Sequence, residues 1–540
     1  MPLTIAGRHR RRVRFPATNL PPALISPSGV ARQQQQQQQE QGPLGQEDLF
    51  PFQSVTKSSK SAKFGKSQKS TTSPGMATQP EPRPGIPSLF TQPPPIRDPL
   101  VTETTRLQEA TVEKCLTFLK GLHPSQTGPF NDTGVPALHR EDHVTYLYES
   151  LEDYPAGFVA MDASRPWMVY WALAGLALLG EDPTHFRERV LGTLRPMQNA
   201  TGGFGGGHGQ TSHLASSYAA VLALAMVGGA EAFALVDRDA MWRWLGRLKQ
   251  ADGGFSVTEG GEEDVRGAYC ASTIIALLDI PLVLPPDATK AREAGFETLT
   301  DGLAEYLSRS DVCDPSLMMS PGQSFEGGIS GSPGVEAHGA YAFCALACLS
   351  ILGAPEEIIP KHMNLPLLLS WLSARQYAPE GGFSGRTNKL VDGCYSHWVG
   401  GCWPLLQSAL DGKPQPSGAP PETVGSLFSR DGLDRYILGC CQTPMGGLRD
   451  KPGKSADSYH TCYVLTGLSA TQHHHYRTNA SVSPDSPFAS AFSWQASPVA
   501  VEESVYESAD RLVAFHPLFV IPHQAAANMR IWCESNPIHV

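Results

Sequence analysis

The chain has 540 residues, of which 41% are hydrophobic and 17% are charged, and its formal net charge is −10. This composition is typical of a globular protein with a substantial core, and the negative charge argues against nucleic acid as the main partner. No apolar run is long enough to cross a bilayer, so we expect no stable membrane insertion. Eleven cysteines are scattered through apolar segments, which favours a reducing compartment such as the cytoplasm over a disulfide framework.

The N-terminal part differs in composition from the rest of the chain. It is rich in Pro, Gln and Ser and contains a glutamine run over residues 33–39. Such a segment cannot bury enough apolar surface to offset the entropy lost on ordering. We therefore predict a disordered extension over residues 1–100 and a globular domain over residues 101–540. The helical periodicity of residues 105–122 predicts the first helix of that domain.

An internal repeat runs through the globular part. Five glycine pairs, each followed by an apolar residue, begin at Gly202, Gly253, Gly327, Gly381 and Gly446. A glutamine precedes each pair, at Gln198, Gln250, Gln323, Gln376 and Gln442. A tyrosine that opens an apolar helix follows each pair, at Tyr218, Tyr269, Tyr341, Tyr395 and Tyr459. The repeat predicts a unit of helix, glycine-rich turn and helix, with two of the spacings roughly 50 residues. Such hairpins either stack into an open solenoid or close into a ring.

Three residues near the starts of these helices offer ligands for a metal ion. Asp392, Cys394 and His460 supply one oxygen, one sulfur and one nitrogen. Three protein ligands with an open fourth position are typical of a catalytic zinc site. An Asp-x-Cys pattern alone is weak, because free cysteine is often simply buried. The repeat strengthens the hypothesis, since it puts the ligands at equivalent helix starts.

Cationic residues accompany the predicted metal ligands. Arg386 and Lys389 precede Asp392 closely, and Arg266 and His338 occupy the corresponding place in two other repeats. An arginine beside a lysine suggests an anionic substrate, most often a phosphate. If the helices line one cavity, these groups converge on it and form a candidate active site.

Five stretches together resemble the β subunits of the CaaX protein prenyltransferases, and among these the farnesyl-transferring enzymes. They are DASRPW at 162–167, DVRGAYC at 264–270, EAHG at 336–339, NKLVDGCY at 388–395 and DKPGKSADSYH at 450–460. The resemblance implies an all-α fold, an α–α toroid of six inner and six outer helices that a prenyltransferase α subunit clasps. It also implies transfer of a farnesyl group from farnesyl diphosphate to the cysteine thiol of a C-terminal CaaX motif. One zinc ion would serve the reaction, and Mg²⁺ would accompany the diphosphate.

The resemblance also assigns roles to individual residues. The zinc ligands would be Asp392, Cys394 and His460, and the diphosphate would contact His338, Arg386, Lys389 and Tyr395. The farnesyl wall would consist of Arg266, Tyr269, Tyr341, Cys344 and Trp398. Trp167, Trp171 and Tyr459 would receive the aliphatic residues of the CaaX peptide, and Asp450 would help to bind Mg²⁺. Trp167 and Tyr463 would also shorten the prenyl pocket, so we expect a fifteen-carbon donor.

Some positions depart from the pattern of these enzymes. Ser458 and His397 stand where the resemblance leads us to expect apolar aromatic residues, which affects the expected peptide preference. Residues 282–323 and 473–503 look like insertions. Within the second, the run His473-His474-His475 is interpreted as a solvated loop, because nothing nearby in the sequence completes a coordination shell.

Three alternatives remain at this stage. The β subunit of a geranylgeranyltransferase type I would share almost all of these motifs. Terpene cyclases also have glutamine- and glycine-rich helical repeats, but they begin catalysis with an aspartate cluster. The nearest match here, Asp237-Arg238-Asp239-Ala240, lacks the last acid. A non-catalytic helical toroid would have no use for both a zinc set and a phosphate set.

Overall fold

The structure is a computed structural model that describes residues 81–96, 99–126, 128–152, 154, 156–308, 323–421 and 425–538. Most of the predicted extension lies outside these residues, so its disorder and its boundary at residue 100 stay predictions. Part of the first predicted insertion, residues 309–322, also lies outside them. Among the helices of the described ranges, none is both long and apolar enough to span a bilayer.

Helices dominate the described residues, as the resemblance implies. The eighteen α-helices are α1 Glu103–Leu119, α2 Arg140–Glu149, α3 Arg165–Leu178, α4 Arg187–Leu194, α5 Leu214–Val227, α6 Ala230–Ala234, α7 Arg238–Leu248, α8 Val265–Leu277, α9 Thr289–Glu293, α10 Leu303–Leu307, α11 Gly339–Leu352, α12 Pro355–His362, α13 Leu365–Ser373, α14 Tyr395–Trp398, α15 Cys402–Asp411, α16 Arg430–Arg435, α17 Ser458–Thr471 and α18 His523–Ser535. A π-helical turn, Tyr436–Cys441, continues α16. Two strands, β1 His473–Arg477 and β2 Trp494–Pro498, form an antiparallel hairpin.

Six helices form a closed inner ring. In order these are α3, α5, α8, α11, α14 and α17; each contacts the next, and α17 contacts α3. The inner helices are buried over most of their length, which explains why their sequences are apolar on all sides. The helices that precede them in the chain, α2, α4, α7, α10, α13 and α16, form the outer layer. The toroid that the resemblance implied is thereby confirmed, and the ring is closed.

The repeated glutamines connect one repeat to the next. Their side-chain oxygens accept from the backbone N–H of the residue just before the following outer helix, in the pairs Gln198–Asp237, Gln323–Asn364 and Gln376–Ser429. Gln442 of the last repeat accepts in the same way from His139, which precedes α2. The last repeat is therefore tied to the first outer helix, and this bond closes the ring.

In one repeat the residue at the glutamine position is Lys249, not the Gln250 that the sequence suggested. Lys249 forms a backbone bridge with Phe255, as Gln198 does with Phe204. Its buried Nζ donates to the Gly253 carbonyl at 2.6 Å, and burial lowers the pKa of Lys249 to about 7. Matching the repeats by residue type alone pointed to the wrong position, because a glutamine follows Lys249 directly.

The first glycine of each pair is required by the turn. These five glycines have φ between 77° and 99°, a region that residues with a side chain rarely adopt. At Gly202 a Cβ atom would also lie 2.1 Å from the backbone oxygen of Ala240 on α7. The turn can therefore approach the next outer helix only with glycine at this position.

The histidine run is part of the hairpin, so its interpretation as a solvated loop was wrong. His473, His475 and Arg477 lie on the buried face of β1, while the residues between them are half-buried. Arg477 also forms a buried ion pair with Glu356 of α12 at 2.6 Å. Alternating burial of this kind is the period of a strand, and three identical residues in sequence cannot display it.

Residues 515–521, which we name the floor segment, pack inside the ring. Leu518 and Phe519 are fully buried. The hydroxyl of Tyr170 on α3 donates to the Val520 carbonyl at 2.9 Å, and that of Tyr269 on α8 donates to the Leu518 carbonyl at 2.8 Å. Two buried backbone acceptors are thus satisfied by tyrosines from two different inner helices.

Candidate metal centre and substrate pocket

The three predicted metal ligands meet at the starts of two neighbouring inner helices. Cys394 precedes α14, and His460 lies in the first turn of α17. One ligand atom from each of Asp392, Cys394 and His460 lies within 4.8 Å of the others. His460 Nε2 is 3.2 Å from Asp392 Oδ1. The set therefore presents one carboxylate, one thiol and one imidazole around a common point.

Asp457 orients the histidine of this set. Its Oδ2 lies 2.7 Å from His460 Nδ1, while its Oδ1 accepts from the His460 backbone N–H at 2.7 Å. The other ring nitrogen, Nε2, is buried and has no hydrogen-bond partner of good geometry among the described residues. A carboxylate behind an imidazole is the usual support of a metal-binding histidine. These residues therefore fit a transition metal ion such as zinc.

The electrostatics of the set favour a cation. Burial raises the pKa of the Cys394 thiol to about 12, and the carboxylate of Asp392 adds to this rise. Burial opposes the ionisation of Asp392, but the charge of His460 outweighs it and lowers the pKa of that carboxyl. The pKa of His460 is raised despite burial, because Asp392 and Asp457 lie beside it. Cys394 would thus ionise near neutral pH only beside a positive charge.

His338 and Tyr395 form a second polar pair at the starts of α11 and α14. His338 Nδ1 accepts from the backbone N–H of Ala340 at 3.0 Å, so the proton of the neutral ring belongs to Nε2. Nε2 lies 3.0 Å from Tyr395 Oη and can donate to it. Burial lowers the pKa of His338 to about 3 and keeps the ring neutral. The Tyr395 hydroxyl hydrogen then remains available for an anionic ligand.

The predicted cations and Asp450 each have a place near these groups. Arg386 forms an ion pair with Glu336 at 2.9 Å, and Arg266 pairs with Asp264. Lys389 is exposed and follows Asn388, whose φ of 59° marks a tight turn. The Asp450 carboxylate contacts the ammonium of Lys451, and burial together with Asp392 raises the pKa of Asp450 to about 6. The carbonyl of Asp450 accepts from the Gly393 N–H at 2.7 Å, which joins this residue to the metal set.

A closed circuit of eight aromatic rings lines the inside of the toroid. Neighbouring ring centroids are 4.6–5.8 Å apart all the way around. The members, in order, are Trp167, Trp171, Tyr459, Tyr463, Trp398, Phe343, Tyr269 and Tyr218. They come from all six inner helices, and each is buried. We name this set the aromatic circuit; its apolar surface suits a hydrophobic chain.

Two members of the aromatic circuit, Tyr459 and Trp398, contact the three candidate ligands Asp392, Cys394 and His460, which we name the metal set; the Trp398 backbone N–H donates to the Cys394 carbonyl at 3.2 Å. Tyr459 accepts from Trp398 Nε1 at 3.0 Å within the circuit, and its hydroxyl also lies beside the Cys394 thiol. The ring of Tyr459 is 5.0 Å from that of His460. The predicted apolar wall and the predicted metal ligands are therefore parts of one site.

The structure brings together most of the residues that the sequence singled out, and it adds others. The sequence analysis gave a site role to six of the eight circuit residues. Of the other two residues predicted for the farnesyl wall, Tyr341 has its ring 5.6 Å from that of His338, and Cys344 is buried one turn later. Sequence reasoning gave no site role to Tyr218, Phe343, Asp457, Lys451 and Glu336. Tyr218 carried a signal, because it opens a repeat helix as Tyr269 does. Asp457 and Lys451 lay within a quoted motif but received no role.

Comparison with known proteins agrees with this architecture. The family model of the prenyltransferase alpha-alpha toroid domain matches residues 138–521. A protein farnesyltransferase subunit beta from Pyricularia oryzae is 51% identical over 86% of this chain and 87% of its own length. One from Schizosaccharomyces pombe is 35% identical over 78% of this chain and 94% of its own. A geranylgeranyl transferase type-1 subunit beta from Arabidopsis thaliana is 26% identical over 63% and 87%. On the family model and the two higher identities, the chain belongs to the protein farnesyltransferase β subunits of the prenyltransferase toroid family.

Proposed function

We propose that this chain is the catalytic subunit of an enzyme that transfers a farnesyl group from farnesyl diphosphate to the cysteine thiol of a C-terminal CaaX motif. The observation that carries the proposal is the junction between the metal set and the aromatic circuit at Tyr459. A reaction that joins a thiol to a hydrophobic chain needs a centre that activates sulfur beside an apolar cavity. A terpene cyclase or a scaffold would not need the first of these.

Asp392, Cys394 and His460 are the proposed ligands of one zinc ion. When bound, the ion would supply a charge that keeps a coordinated thiol ionised at neutral pH. Asp457 holds the imidazole so that Nε2 faces the site. Three protein ligands would leave one position on the ion for the cysteine of the peptide substrate.

The cations and the Tyr395 hydroxyl would act on the leaving group. A bond forms between the substrate sulfur and carbon 1 of the farnesyl group, while the bond from carbon 1 to oxygen breaks. The diphosphate leaves with the electron pair, and the thiol proton passes to solvent. Arg386, Lys389 and the hydrogen bond from Tyr395, which His338 orients, would stabilise the growing negative charge. Asp450 is the proposed protein ligand of a Mg²⁺ ion that accompanies the diphosphate.

The aromatic circuit would hold the prenyl chain and the end of the peptide. Tyr269 and Trp398, with Arg266, Tyr341 and Cys344, are the proposed farnesyl contacts. The aliphatic residues of the CaaX peptide would lie against a second group, Trp167, Trp171 and Tyr459. Trp167 and Tyr463 are large and buried, with 7% and 2% exposure, which favours a short chain. The two relatives with the higher identities are named as farnesyltransferases, whereas the geranylgeranyl relative is 26% identical.

A second subunit and a cytoplasmic location belong to the same proposal. The matching relatives are named as β subunits, so we propose that a prenyltransferase α subunit is needed for activity. Ten free, buried cysteines among the described residues agree with a reducing compartment.

The test combines a transfer assay with metal analysis. The full chain is expressed with and without an α subunit and supplied with farnesyl diphosphate and a CaaX peptide. We expect transfer only from the heterodimer, with about one zinc ion per β chain. Cys394→Ala and His460→Ala should lose zinc and activity, whereas Cys533→Ala, which removes a buried thiol of α18, should keep both. Full zinc retention in both site variants would contradict the metal assignment.

A further inference from the structure

The carboxylate that we propose as a Mg²⁺ ligand is already paired with a cation. Oδ1 of Asp450 contacts the ammonium of the adjacent Lys451. The side chains of Lys451 and Asp450 are only 13% and 14% exposed, so little water screens the attraction between their charges. A divalent ion that approaches Asp450 therefore meets an ion pair and not a free carboxylate.

The backbone holds this pair beside the metal set. The carbonyl of Asp450 accepts from the Gly393 N–H at 2.7 Å and from the hydroxyl of Tyr436 at 2.8 Å. Gly393 stands between two of the candidate zinc ligands in the chain. The carbonyl of Lys451 accepts from the Lys454 N–H at 3.1 Å, so the chain turns directly after the pair. The backbone of both paired residues is thereby fixed next to the start of α14.

The charge of Lys451 acts on the metal set as well as on Asp450. Lys451 lies close enough to Asp392 and Cys394 for electrostatic interaction with both. Its ammonium is therefore attracted by groups of both proposed metal sites. If the side chain of Lys451 leaves Asp450, its charge still has an anionic neighbour in Asp392. Opening the ion pair thus avoids the large cost of a buried charge without any partner.

Mg²⁺ and an ammonium group use the same atoms of a carboxylate. Mg²⁺ binds oxygen ligands and is usually held by one or two carboxylates together with substrate phosphates. The ammonium of a lysine donates its hydrogens to the same kind of oxygen. If Mg²⁺ binds the second oxygen of Asp450 instead, the two cations repel each other across one carboxylate. The ion pair with Lys451 and the binding of Mg²⁺ therefore weaken each other by the same free energy.

We propose that Lys451 competes with Mg²⁺ for Asp450 and thereby makes the binding of Mg²⁺ depend on the diphosphate. Without diphosphate, the carboxylate stays in the ion pair. A bound diphosphate adds further oxygen ligands for Mg²⁺, and Mg²⁺ then displaces the ammonium from Asp450. Lys451 is thus a positioning residue that sets the Mg²⁺ concentration at which this site fills. The inference rests on the proposed function, in which Asp450 is the Mg²⁺ ligand.

The competition can be tested by metal binding, without a turnover assay. Mn²⁺ takes the same oxygen ligands as Mg²⁺, and its electron paramagnetic resonance signal reports how much of it is bound. The zinc-loaded heterodimer is titrated with Mn²⁺ in the presence of inorganic pyrophosphate. Lys451→Met removes the charge and keeps an unbranched side chain. We expect the Kd for Mn²⁺ to fall roughly tenfold in this variant, because one competing charge-assisted hydrogen bond is lost.

Three further variants separate this competition from a general effect of charge. Lys454→Met removes the same charge from an exposed side chain of the same loop, and should leave the Kd within about twofold of wild type because solvent screens it. Lys451→Arg keeps a cation beside the carboxylate and should retain the wild-type Kd. In an Asp450→Asn background, Lys451→Met should bring no gain, since the competition acts through the carboxylate. Zinc content is measured in every variant, because Lys451 also acts on the metal set.

The outcomes distinguish this inference from the proposed function. An equal Kd for Mn²⁺ in wild type and Lys451→Met would overturn the inference and leave Asp450 as a metal ligand. An equal gain in Lys454→Met, or a gain that persists in Asp450→Asn, would overturn it as well. If Mn²⁺ bound to none of the variants, Asp450 would not be a metal ligand, and the Mg²⁺ part of the proposed function would fail together with the inference.

Discussion

The start of the inner helices and the floor segment use polar residues in opposite ways. At the end where the inner helices begin, which we name the rim, charged groups lie near solvent and pair with carboxylates. Arg386, for example, is 16% exposed and its partner Glu336 is 48% exposed. At the floor segment the polar side chains are buried and uncharged. Tyr170 and Tyr269 there donate to backbone carbonyls. The same ring thus carries charged groups at the rim and buried hydrogen bonds to the floor segment.

The difference follows from the direction of the helices. Four of the rim residues, Arg266, His338, Cys394 and His460, lie at or near the first turn of an inner helix. Helix N-termini carry unpaired N–H groups and a partial positive charge, which favour anions. The rim is therefore suited to an anionic ligand that binds and dissociates in each reaction cycle. The floor, which the segment 515–521 fills, is suited to setting a fixed depth.

Removing one cation of the rim should distinguish the role of the rim from that of the floor segment most clearly. Lys389→Ala should lower the rate of the chemical step by about two orders of magnitude, because its proposed contact with the leaving diphosphate is lost. Thermal stability should not change, since Lys389 is exposed. Single-turnover kinetics measure the step directly. Lys361→Ala, on the exposed side of α12, is the matched control, and a wild-type rate in Lys389→Ala would contradict the role assigned to the rim.

A floor substitution should do the reverse. Tyr170→Phe leaves the buried Val520 carbonyl without its donor, which should lower the free energy of unfolding by about 1–3 kcal/mol. The rate of transfer should change little, because the hydroxyl contacts no proposed reacting group. Tyr148→Phe, which loses a partly buried bond to Glu181 on the outer layer, serves as the control. If Tyr170→Phe slowed chemistry and left the thermal midpoint unchanged, the division between the two ends would be wrong.

The smallest predicted effect concerns the exchange of partners at the rim. Glu336 forms an ion pair with Arg386 at 2.9 Å. We expect a diphosphate that binds Arg386 to compete with this carboxylate. A half-exposed ion pair is worth about 0–1 kcal/mol, so Glu336→Gln should tighten the binding of inorganic pyrophosphate by up to about fivefold. Calorimetric titration measures this. Glu357→Gln breaks an exposed pair with Lys413 on the outside and should have no effect. Weaker binding in Glu336→Gln would show that the carboxylate orients Arg386 instead.

Much of the rim could be predicted from the sequence, because its residue types and their register carry chemical information. Asp392, Cys394 and His460 stand at corresponding helix starts, and the structure brings them within 4.8 Å. Asp457 was harder to predict, since a carboxylate three residues before a histidine is also an ordinary helix cap. Lys249 was missed because alignment by residue type favoured the neighbouring glutamine.

The floor could not be predicted in the same way. The segment 515–521 has no periodic pattern, and its polar contacts go to tyrosines hundreds of residues away in the chain. His397 of α14, His475 of β1 and His516 of the floor segment line one small pocket, although no local spacing relates them. His397 was noticed only as a departure from an aromatic residue. The contacts of its ring with Phe343, Trp398 and Tyr463 became apparent only from the packing.

The most direct test of the account compares donor lengths in the wild-type heterodimer and in Trp167→Thr. If Trp167 and Tyr463 fill the space that a fourth isoprene unit needs, the cost of overpacking, about 1–3 kcal/mol, gives a roughly ten- to hundredfold preference for the fifteen-carbon donor. Trp167→Thr should narrow or reverse this preference, while Trp167→Phe should retain it. The measurement is kcat/KM for farnesyl and geranylgeranyl diphosphate. A wild-type enzyme that already prefers the twenty-carbon donor would contradict both the depth assigned to the pocket and the farnesyl specificity.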